Sequence, residues 1–178
     1  VSYSAASVEK NIQFPAYSQV KVDGARCLMF CEGEERDATT IRLESSGFKQ
    51  FFGLTGIEEY AKKAFYANKV IDGEIIFVDE NEKPLPRKIS NGLANKAVAG
   101  TISPEEAAKA RYIVWDILTF KEYETEKTHG YKARLGTLLT FLGNTKQFYP
   151  DEKPTIIPVE TVEVDTVEDA LEHFRQCI

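Results

Sequence analysis

The first half of the chain alternates apolar and polar residues in short runs. Runs at 12–22, 26–33, 39–45 and 69–79 are rich in β-branched and aromatic residues, and turns rich in Gly, Asp or Glu separate them. A period of two residues is typical of a half-buried strand. These four runs are therefore predicted to be strands.

Helical spacing replaces the alternation in other parts of the chain. Apolar residues recur every three or four positions in 55–69, which predicts a helix. Two further helices are marked by capping boxes, Ser103 with Glu106 and Thr166 with Asp169.

The remaining segments complete an α+β pattern. The continuous apolar run 111–120 predicts a strand that is buried on both faces, and 154–164 predicts a last strand. A helix is predicted for 131–143, ended by the glycine at its last position, while 80–100 is predicted to be a long functional or mobile loop. Hairpin-like neighbours followed by inserted helices predict largely antiparallel sheets within one compact domain.

Composition narrows the class of protein. The net charge of −6 argues against nucleic-acid binding by bulk electrostatics alone. No apolar run is long enough to span a membrane, the first ten residues do not resemble a secretory signal, and the three cysteines lack metal-ligand spacing. A cytoplasmic protein with reduced thiols, and no membrane partner, is predicted. Locally, Lys83, Arg87, Lys88 and Lys96 give 82–100 a basic character, which indicates either a phosphate-facing loop or an ordinary solvated surface.

Candidate chemistry centres on the sequence KVDGAR, residues 21–26. A lysine before Asp-Gly is also compatible with an exposed hairpin turn. However, IDGE at 71–74 and YIVWD at 112–116 place a glutamate and a tryptophan in two further apolar strands. Lys21, Arg26, Glu74 and Trp115 on adjacent strands would form a nucleotide pocket. Strand alternation would put Lys21 on the same face as Gln19.

These segments resemble a known family. KVDGAR, VIDGEIIF and YIVWDIL resemble motifs I, III and IIIa of the covalent nucleotidyltransferases, which include ATP-dependent DNA ligases, RNA ligases and mRNA capping enzymes. The stretches 11–27 and 90–107 are similar to the DNA ligases of T-even bacteriophages, and the likeness runs along nearly the whole chain. The resemblance implies an ATP-grasp-like nucleotidyltransferase fold with two mainly antiparallel sheets flanked by helices. It also implies that 1–178 is a truncated adenylation domain without the last two motifs, the N-terminal DNA-binding domain and the OB domain of the family.

In this family a lysine attacks the α-phosphate of ATP and retains AMP as a phosphoramide. The resemblance assigns that role to Lys21. Because a free lysine is protonated at neutral pH, partial burial between Val20 and Val22, and a nearby cation such as Arg26 or Mg²⁺, are expected to favour the neutral amine.

The resemblance also implies roles for other residues. Arg26 would bind the ribose or a phosphate, Glu74 the ribose hydroxyl or the metal ion, and Trp115 would stack on adenine. Gln19 would read adenine through its amide. For Glu74, Trp115 and Gln19 the alternatives are an exposed strand carboxylate, a core aromatic and a surface amide. Asp23 is expected to orient the turn and Asp116 to be structural. The full predicted nucleotide set is Gln19, Val20, Lys21, Arg26, Arg42, Glu74 and Trp115, with Glu74 also as the predicted Mg²⁺ ligand.

Arg42 enters this set because the sequence departs from the family pattern. Ser46 stands where the family has an arginine that contacts the nucleotide. Arg42 lies four residues earlier in the same predicted strand, and even spacing would keep it on the same face.

The predicted activity is ATP-dependent sealing of nicked duplex DNA in replication, repair and recombination. It would be carried out by a monomer in the cytoplasm of a bacterium or a phage-infected cell. Arg87, Lys88 and Lys96 are the predicted DNA contacts. The 178 residues alone are expected to seal no nicks and to adenylate themselves poorly or not at all. The alternatives are an RNA ligase or capping-type enzyme, with the same lysine chemistry, and a truncated module that binds a nucleotide without turnover.

Overall fold

The computed structural model describes residues 12–33 and 39–177, which form two compact units. The larger unit is Val22–Pro158, and the smaller one includes 12–21 and 159–177. Among these described residues, no helix is both long and apolar enough to cross a bilayer.

The smaller unit contains a two-stranded sheet and one helix. β1, Ala16–Gln19, pairs antiparallel with β8, Thr161–Val164. The helix that follows, α6, is Val167–Gln176, and the predicted capping box of Thr166 and Asp169 is present at its start.

A six-stranded sheet forms the centre of the larger unit. Its order is β4-β3-β2-β5-β6-β7, and every neighbouring pair is antiparallel except β6 with β7, which is parallel. The α+β prediction with largely antiparallel sheets is confirmed. The strands are β2 Ala25–Glu32, β3 Thr40–Ser45, β4 Gln50–Phe51, β5 Lys69–Phe77, β6 Ala110–Thr119 and β7 Ile156–Pro158.

Helices cover one face of this sheet and close the hydrophobic core. The apolar face of each long helix meets the alternate residues of β2, β5 and β6 that point to the same side, such as Met29, Ile71 and Tyr112. The larger unit's helices are α1 Thr55–Ala64, α2 Arg87–Ala99, α3 Pro104–Ala107, α4 Phe120–Thr125 and α5 Tyr131–Phe148.

Two of the predicted strands differ in extent from the prediction. The strand predicted for 12–22 ends at Gln19, so Lys21 lies beyond it. The strand predicted for 154–164 is two strands, because the chain leaves the large sheet at Pro158 before β8 pairs with β1.

Two predictions about helices were wrong. The predicted loop 80–100 contains α2, whose Ser90, Leu93, Ala94 and Ala97 are buried at helical spacing. α5 continues past Gly143 to Phe148, because residues on its core side remain buried while Gly143 itself faces open space. Tertiary packing therefore outweighs the local helix-breaking tendency at both places.

Candidate active site

The second face of the large sheet, opposite the helices of the core, carries charged side chains. In the register of β2 with β5, Arg26 lies opposite Glu74 and Leu28 lies opposite Asp72. The intervening residues, such as Cys27 and Met29, are fully buried on the core side. Strand alternation therefore gathers Arg26, Asp72 and Glu74 on one surface.

Arg26 and Asp72 form a two-point ion pair on this face. Arg26 Nε donates to Asp72 Oδ1 at 2.9 Å, and its Nη2 donates to Oδ2 at 2.5 Å. These hydrogen bonds raise the pKa of Arg26 above its ordinary value. The Arg26 side chain is still 54% exposed, so its guanidinium is held in place and remains accessible. Asp72 was not among the predicted site residues, although its position two residues before Glu74 puts both carboxylates on the same side of β5.

Glu74 binds the backbone that precedes β2. Gly24 N donates to Glu74 Oε1 at 2.7 Å. A Cβ at position 24 would lie 2.4 Å from the carbonyl oxygen of Ile75, so β5 leaves room only for glycine. This contact gives Glu74 a structural role that the motif did not indicate. The predicted roles in ribose or metal binding stay predictions.

A β-bulge brings Trp115 to the same face. Asp72 pairs with Asp116 and Gly73 pairs with Val114, so Trp115 is the extra residue of β6. Trp115 is half-buried. The Arg26 guanidinium lies 5.5 Å from the centre of its ring.

Two residues on the core side, Gly73 of β5 and Tyr112 of β6, pack closely next to the bulge. A Cβ at Gly73 would lie 2.4 Å from the carbonyl oxygen of Ile113. Tyr112 is fully buried, and its hydroxyl lies 2.9 Å and 2.8 Å from the carbonyl oxygens of Cys27 and Ile71. Burial raises the pKa of Tyr112 well above its ordinary value. The burial of β6 on both faces was predicted wrongly, since Ile113, Trp115 and Asp116 are only half-buried.

Asp116 has the structural role predicted for it. Arg134 of α5 binds it through two hydrogen bonds, both of 2.8 Å. The hydroxyl of Tyr131 donates to the carbonyl oxygen of Trp115 at 2.9 Å. The start of α5 is thereby attached to the bulge.

Arg42 lies on the same face but at a distance from Arg26. It pairs with Phe30 in the strand register, four residues along β2 from Arg26, or about 13 Å. Its guanidinium lies 4.2 Å from the ring centre of Phe30 and forms ion pairs with Glu32 and Glu44. The structure therefore does not bring Arg42 together with Arg26 and Trp115.

Lys21 lies in the smaller unit beside a cavity of about 290 Å³. Both Lys21 and Val20 are exposed, so the expected burial of the lysine between Val20 and Val22 was wrong. Gln19 Nε2 donates to Thr161 Oγ1 at 3.0 Å across the two-stranded sheet. The cavity is lined by Ser18, Gln19, Val20, Lys21, His173, Phe174 and Cys177.

The predicted DNA contacts lie on α2 and not on a loop. Arg87 is 3.5 Å from Asp23, and Lys96 is 2.5 Å from Glu106, so each has an acidic neighbour. The hydrogen bond from Lys96 is the main reason that the pKa of Glu106 is lowered. Lys88 is exposed on the same helix.

Two phage proteins are similar to this chain in sequence. The DNA ligase of Enterobacteria phage T4 is 34% identical over 152 residues, which is 68% of this chain and 31% of that protein. The DNA ligase of Enterobacteria phage T6 is 33% identical over the same length, with the same coverage. The chain therefore spans about a third of the length of these curated relatives.

Solved structures of ligases share the fold. A structure titled Pmar-Lig_PreS3 matches with a TM-score of 0.71 at 15% identity, covering 98% of this chain and 37% of its own. The Chlorella virus DNA ligase-adenylate matches with a TM-score of 0.58 at 16% identity, covering 94% and 51%. The ATP-dependent DNA ligase from bacteriophage T7 in complex with ATP matches with a TM-score of 0.55 at 15% identity, covering 89% and 51%.

A family model adds coverage of almost the entire sequence. The model described as ATP dependent DNA ligase domain matches residues 2–178. Its match agrees with the two phage relatives and with the fold of the solved ligases. The chain belongs to the ATP-dependent DNA ligase domain family.

Proposed function

We propose that Lys21 carries a lysine–AMP intermediate when this chain acts within its gene product, and that residues on the second face of the large sheet bind the nucleotide. One observation carries the proposal: Arg26, Asp72, Glu74 and Trp115 converge on that face. The family membership and the KVDGAR sequence support Lys21 as the nucleophile. The sequence resemblance and the structural matches support an ATP-grasp-like nucleotidyltransferase fold, with the chain as part of an adenylation domain.

The reaction divides nick sealing into three displacements. Lys21 Nζ attacks the α-phosphate of ATP, the bond to pyrophosphate breaks and a P–N bond forms. An oxygen of the 5′-phosphate at the nick then displaces the lysine and receives AMP. Finally the 3′-hydroxyl displaces AMP and closes the DNA strand.

Arg26 is suited to orient the nucleotide. Asp72 occupies its Nε and Nη2, which leaves Nη1 to donate to a ribose or phosphate oxygen. A guanidinium already fixed by a carboxylate loses little additional freedom when it binds a ligand.

Trp115 provides an aromatic surface beside this cation. The bulge turns the indole toward the charged face, where a purine ring can stack on it. Glu122 and His129, which lie farther along the chain, are not assigned to the nucleotide, because they bind each other at 2.6 Å.

Glu74 fits the expected Mg²⁺ better than Asp72 does. Carboxylate oxygen is the donor that Mg²⁺ prefers, and both oxygens of Asp72 are already bound to Arg26. The hydrogen bond from Gly24 uses Oε1 of Glu74, so Oε2 is the oxygen assigned to the metal. When bound with ATP, Mg²⁺ would neutralise phosphate charge and so favour displacement at the α-phosphate.

The DNA partner would meet α2. The exposed Lys88 of α2, with Arg87 in the same turn, supplies positive charge in a chain that is acidic overall. Phosphate contacts of this kind position the duplex without reading its sequence. We further propose that the protein acts as a monomer on nicked duplex DNA.

The test is the intact mass of the gene product that contains this sequence after incubation with ATP and Mg²⁺. A gain of one AMP is expected, and it should be lost in Lys21→Arg, which keeps the charge but not the nucleophile. Lys49→Arg, at an exposed position in the larger unit, is the matched control and should gain AMP normally.

The other outcomes identify the alternatives. ATP-dependent stabilisation without any mass gain would indicate a nucleotide-binding module, and a gain with GTP in place of ATP would indicate a capping-type enzyme. A normal mass gain in Lys21→Arg would refute the assignment of the nucleophile. The same gene product should seal nicked duplex DNA, whereas the 178-residue chain alone should not.

A further inference from the structure

Three metal-ligating side chains of the smaller unit lie together. They are Glu160, which precedes β8, His173 on α6, and Cys177 directly after it. One ligand atom from each lies within 4.8 Å of the other two. His173 and Cys177 are four residues apart, which places them on the same face of the last helical turn. The proposed nucleotide chemistry uses none of the three.

His173 is the residue that needs explaining. It is only 5% exposed, and its Nδ1 lies 2.8 Å from Ser18 Oγ. Its Nε2 has no hydrogen-bond partner among the described residues, and the nearest Glu160 oxygen is 3.9 Å away. Burying a polar atom without a hydrogen-bond partner destabilises the folded state. A ligand bound at Nε2 would remove that cost.

The contact with Ser18 is of the kind that orients a metal-binding histidine. A histidine that binds a metal through one nitrogen almost always forms a hydrogen bond through the other, which fixes the ring. When Nδ1 donates to Ser18 Oγ, Nε2 presents its lone pair toward Glu160 and Cys177. A lone pair facing a carboxylate is stabilised by a cation between them.

We propose that Glu160, His173 and Cys177 bind a thiophilic divalent cation, with Zn²⁺ the best fit and a water molecule in the fourth position. Thiolate, imidazole and carboxylate are all established Zn²⁺ ligands, and one thiolate with one carboxylate balances its charge. Tetrahedral geometry would bring the ligand atoms to about 3.5 Å from one another. Glu160 and Cys177 are exposed, so their side chains are free to move inward over that distance.

Other residues of these types are less suited to the ion. Cys27 and Cys31 are fully buried, and burial raises the pKa of both thiols, which opposes the thiolate form. The second histidine, His129, lies against Glu122 without a cysteine in its cluster. In the part of the chain that the structure describes, no other three His, Cys, Asp or Glu side chains bring their ligand atoms this close together.

The test is titration of the untagged chain with Co²⁺, followed by competition with Zn²⁺. One equivalent of Co²⁺ should give a thiolate charge-transfer band in the near ultraviolet. Zn²⁺ should remove the band, whereas millimolar Mg²⁺ should not. Cys177→Ser should abolish the band, and Ser18→Ala should weaken Zn²⁺ binding about tenfold or more. His129→Ala and Glu168→Gln, which lie outside the cluster, are the matched controls and should bind as the unchanged chain does.

Three results would overturn the proposal: no band at one equivalent, a band that survives Cys177→Ser, or a band lost in His129→Ala. Cys177 is exposed, so its replacement tests the site without disturbing the buried His173. The readout does not depend on adenylation, so failure of the proposed function leaves this test intact.

Discussion

The two faces of the six-stranded sheet are built by the same strands and have opposite properties. On the core face, Met29 and Ile71 are completely inaccessible to solvent. On the second face, Arg26 and Asp72 form an ion pair that is partly open to solvent. A period of two residues thus separates the buried core of β2 and β5 from the surface on which nucleotide binding is proposed. Substitutions on the core face should lower the free energy of unfolding. Substitutions on the second face should alter ligand binding.

The largest effect on stability is expected from Met29→Ala on the core face. Removing a fully buried side chain should cost about 2–5 kcal/mol of unfolding free energy, because a cavity remains. Leu28→Ala, one residue away on the second face and only half-buried, is the control and should cost clearly less. Urea denaturation measures both. Equal losses would contradict the division between the faces.

A buried carboxylate beyond the end of β6 tests whether charge also stabilises the fold. Hydrogen bonds from the backbone of Thr119 and His129 lower the pKa of Glu122 to about 2. Because this value lies below that of the unfolded chain, the stabilisation is complete above about pH 4.5 and is lost as the pH falls toward 2. The loss should reach up to about 3 kcal/mol.

Denaturation at pH 7 and at pH 3 measures the part of this loss that has occurred by pH 3, about 2 kcal/mol. Glu122→Gln should be less stable at pH 7 and should lose less on acidification. Glu124→Gln, which is exposed, should keep the original pH dependence. An unchanged slope in Glu122→Gln would assign the acid sensitivity to other carboxylates.

The bulge is where the two faces depend on each other. Gly73→Ala would force a methyl group against the carbonyl of Ile113 and should cost about 1–3 kcal/mol. Trp115 is the single tryptophan of the chain, so its fluorescence should change as well. Gly92→Ala is the control, since nothing lies within 4 Å of the added methyl and helix propensity should stabilise the chain by about 0.5–1 kcal/mol. An unshifted Trp115 spectrum in Gly73→Ala would show that the bulge does not need this glycine.

The smallest effect on stability is expected from Arg26→Ala. A partly exposed ion pair contributes about 0–1 kcal/mol, so the unfolding free energy should hardly change. ATP binding by the gene product, measured by calorimetric titration, should weaken about tenfold or more, because a charged hydrogen-bond donor is lost. Arg175→Ala, on α6, should leave both unchanged. Unaltered ATP affinity in Arg26→Ala would remove Arg26 from the nucleotide site.

Much of the fold was predictable from local pattern. Alternation located β2, β3 and β5, and a continuous apolar run located β6. Capping residues located the starts of α3 and α6 at Ser103 and Thr166. The missed helix, α2, has prolines before it and Asn and Gly residues within it, which weaken local helix propensity. The helical spacing of Leu93 and Ala97 is visible in the sequence, but their burial, on which the helix depends, is set by tertiary packing.

The motifs predicted several residues of the charged face but not the contacts that they make. The motifs selected Arg26, Glu74 and Trp115, and the structure gathers these three on one surface. Asp72 was missed, since its ion pair depends on the register between strands far apart in sequence. The predicted burial of Lys21 was wrong because the strand was expected to continue past Gln19.

The fit of Gly24 against β5 has a consequence for engineering. The Cβ of any other residue would meet the carbonyl of Ile75, whatever ligand the charged face binds. A library that randomises the exposed positions of the charged face can therefore hold position 24 constant. Substitutions at position 24 would change the packing of the backbone against β5 and not the ligand specificity of the charged face.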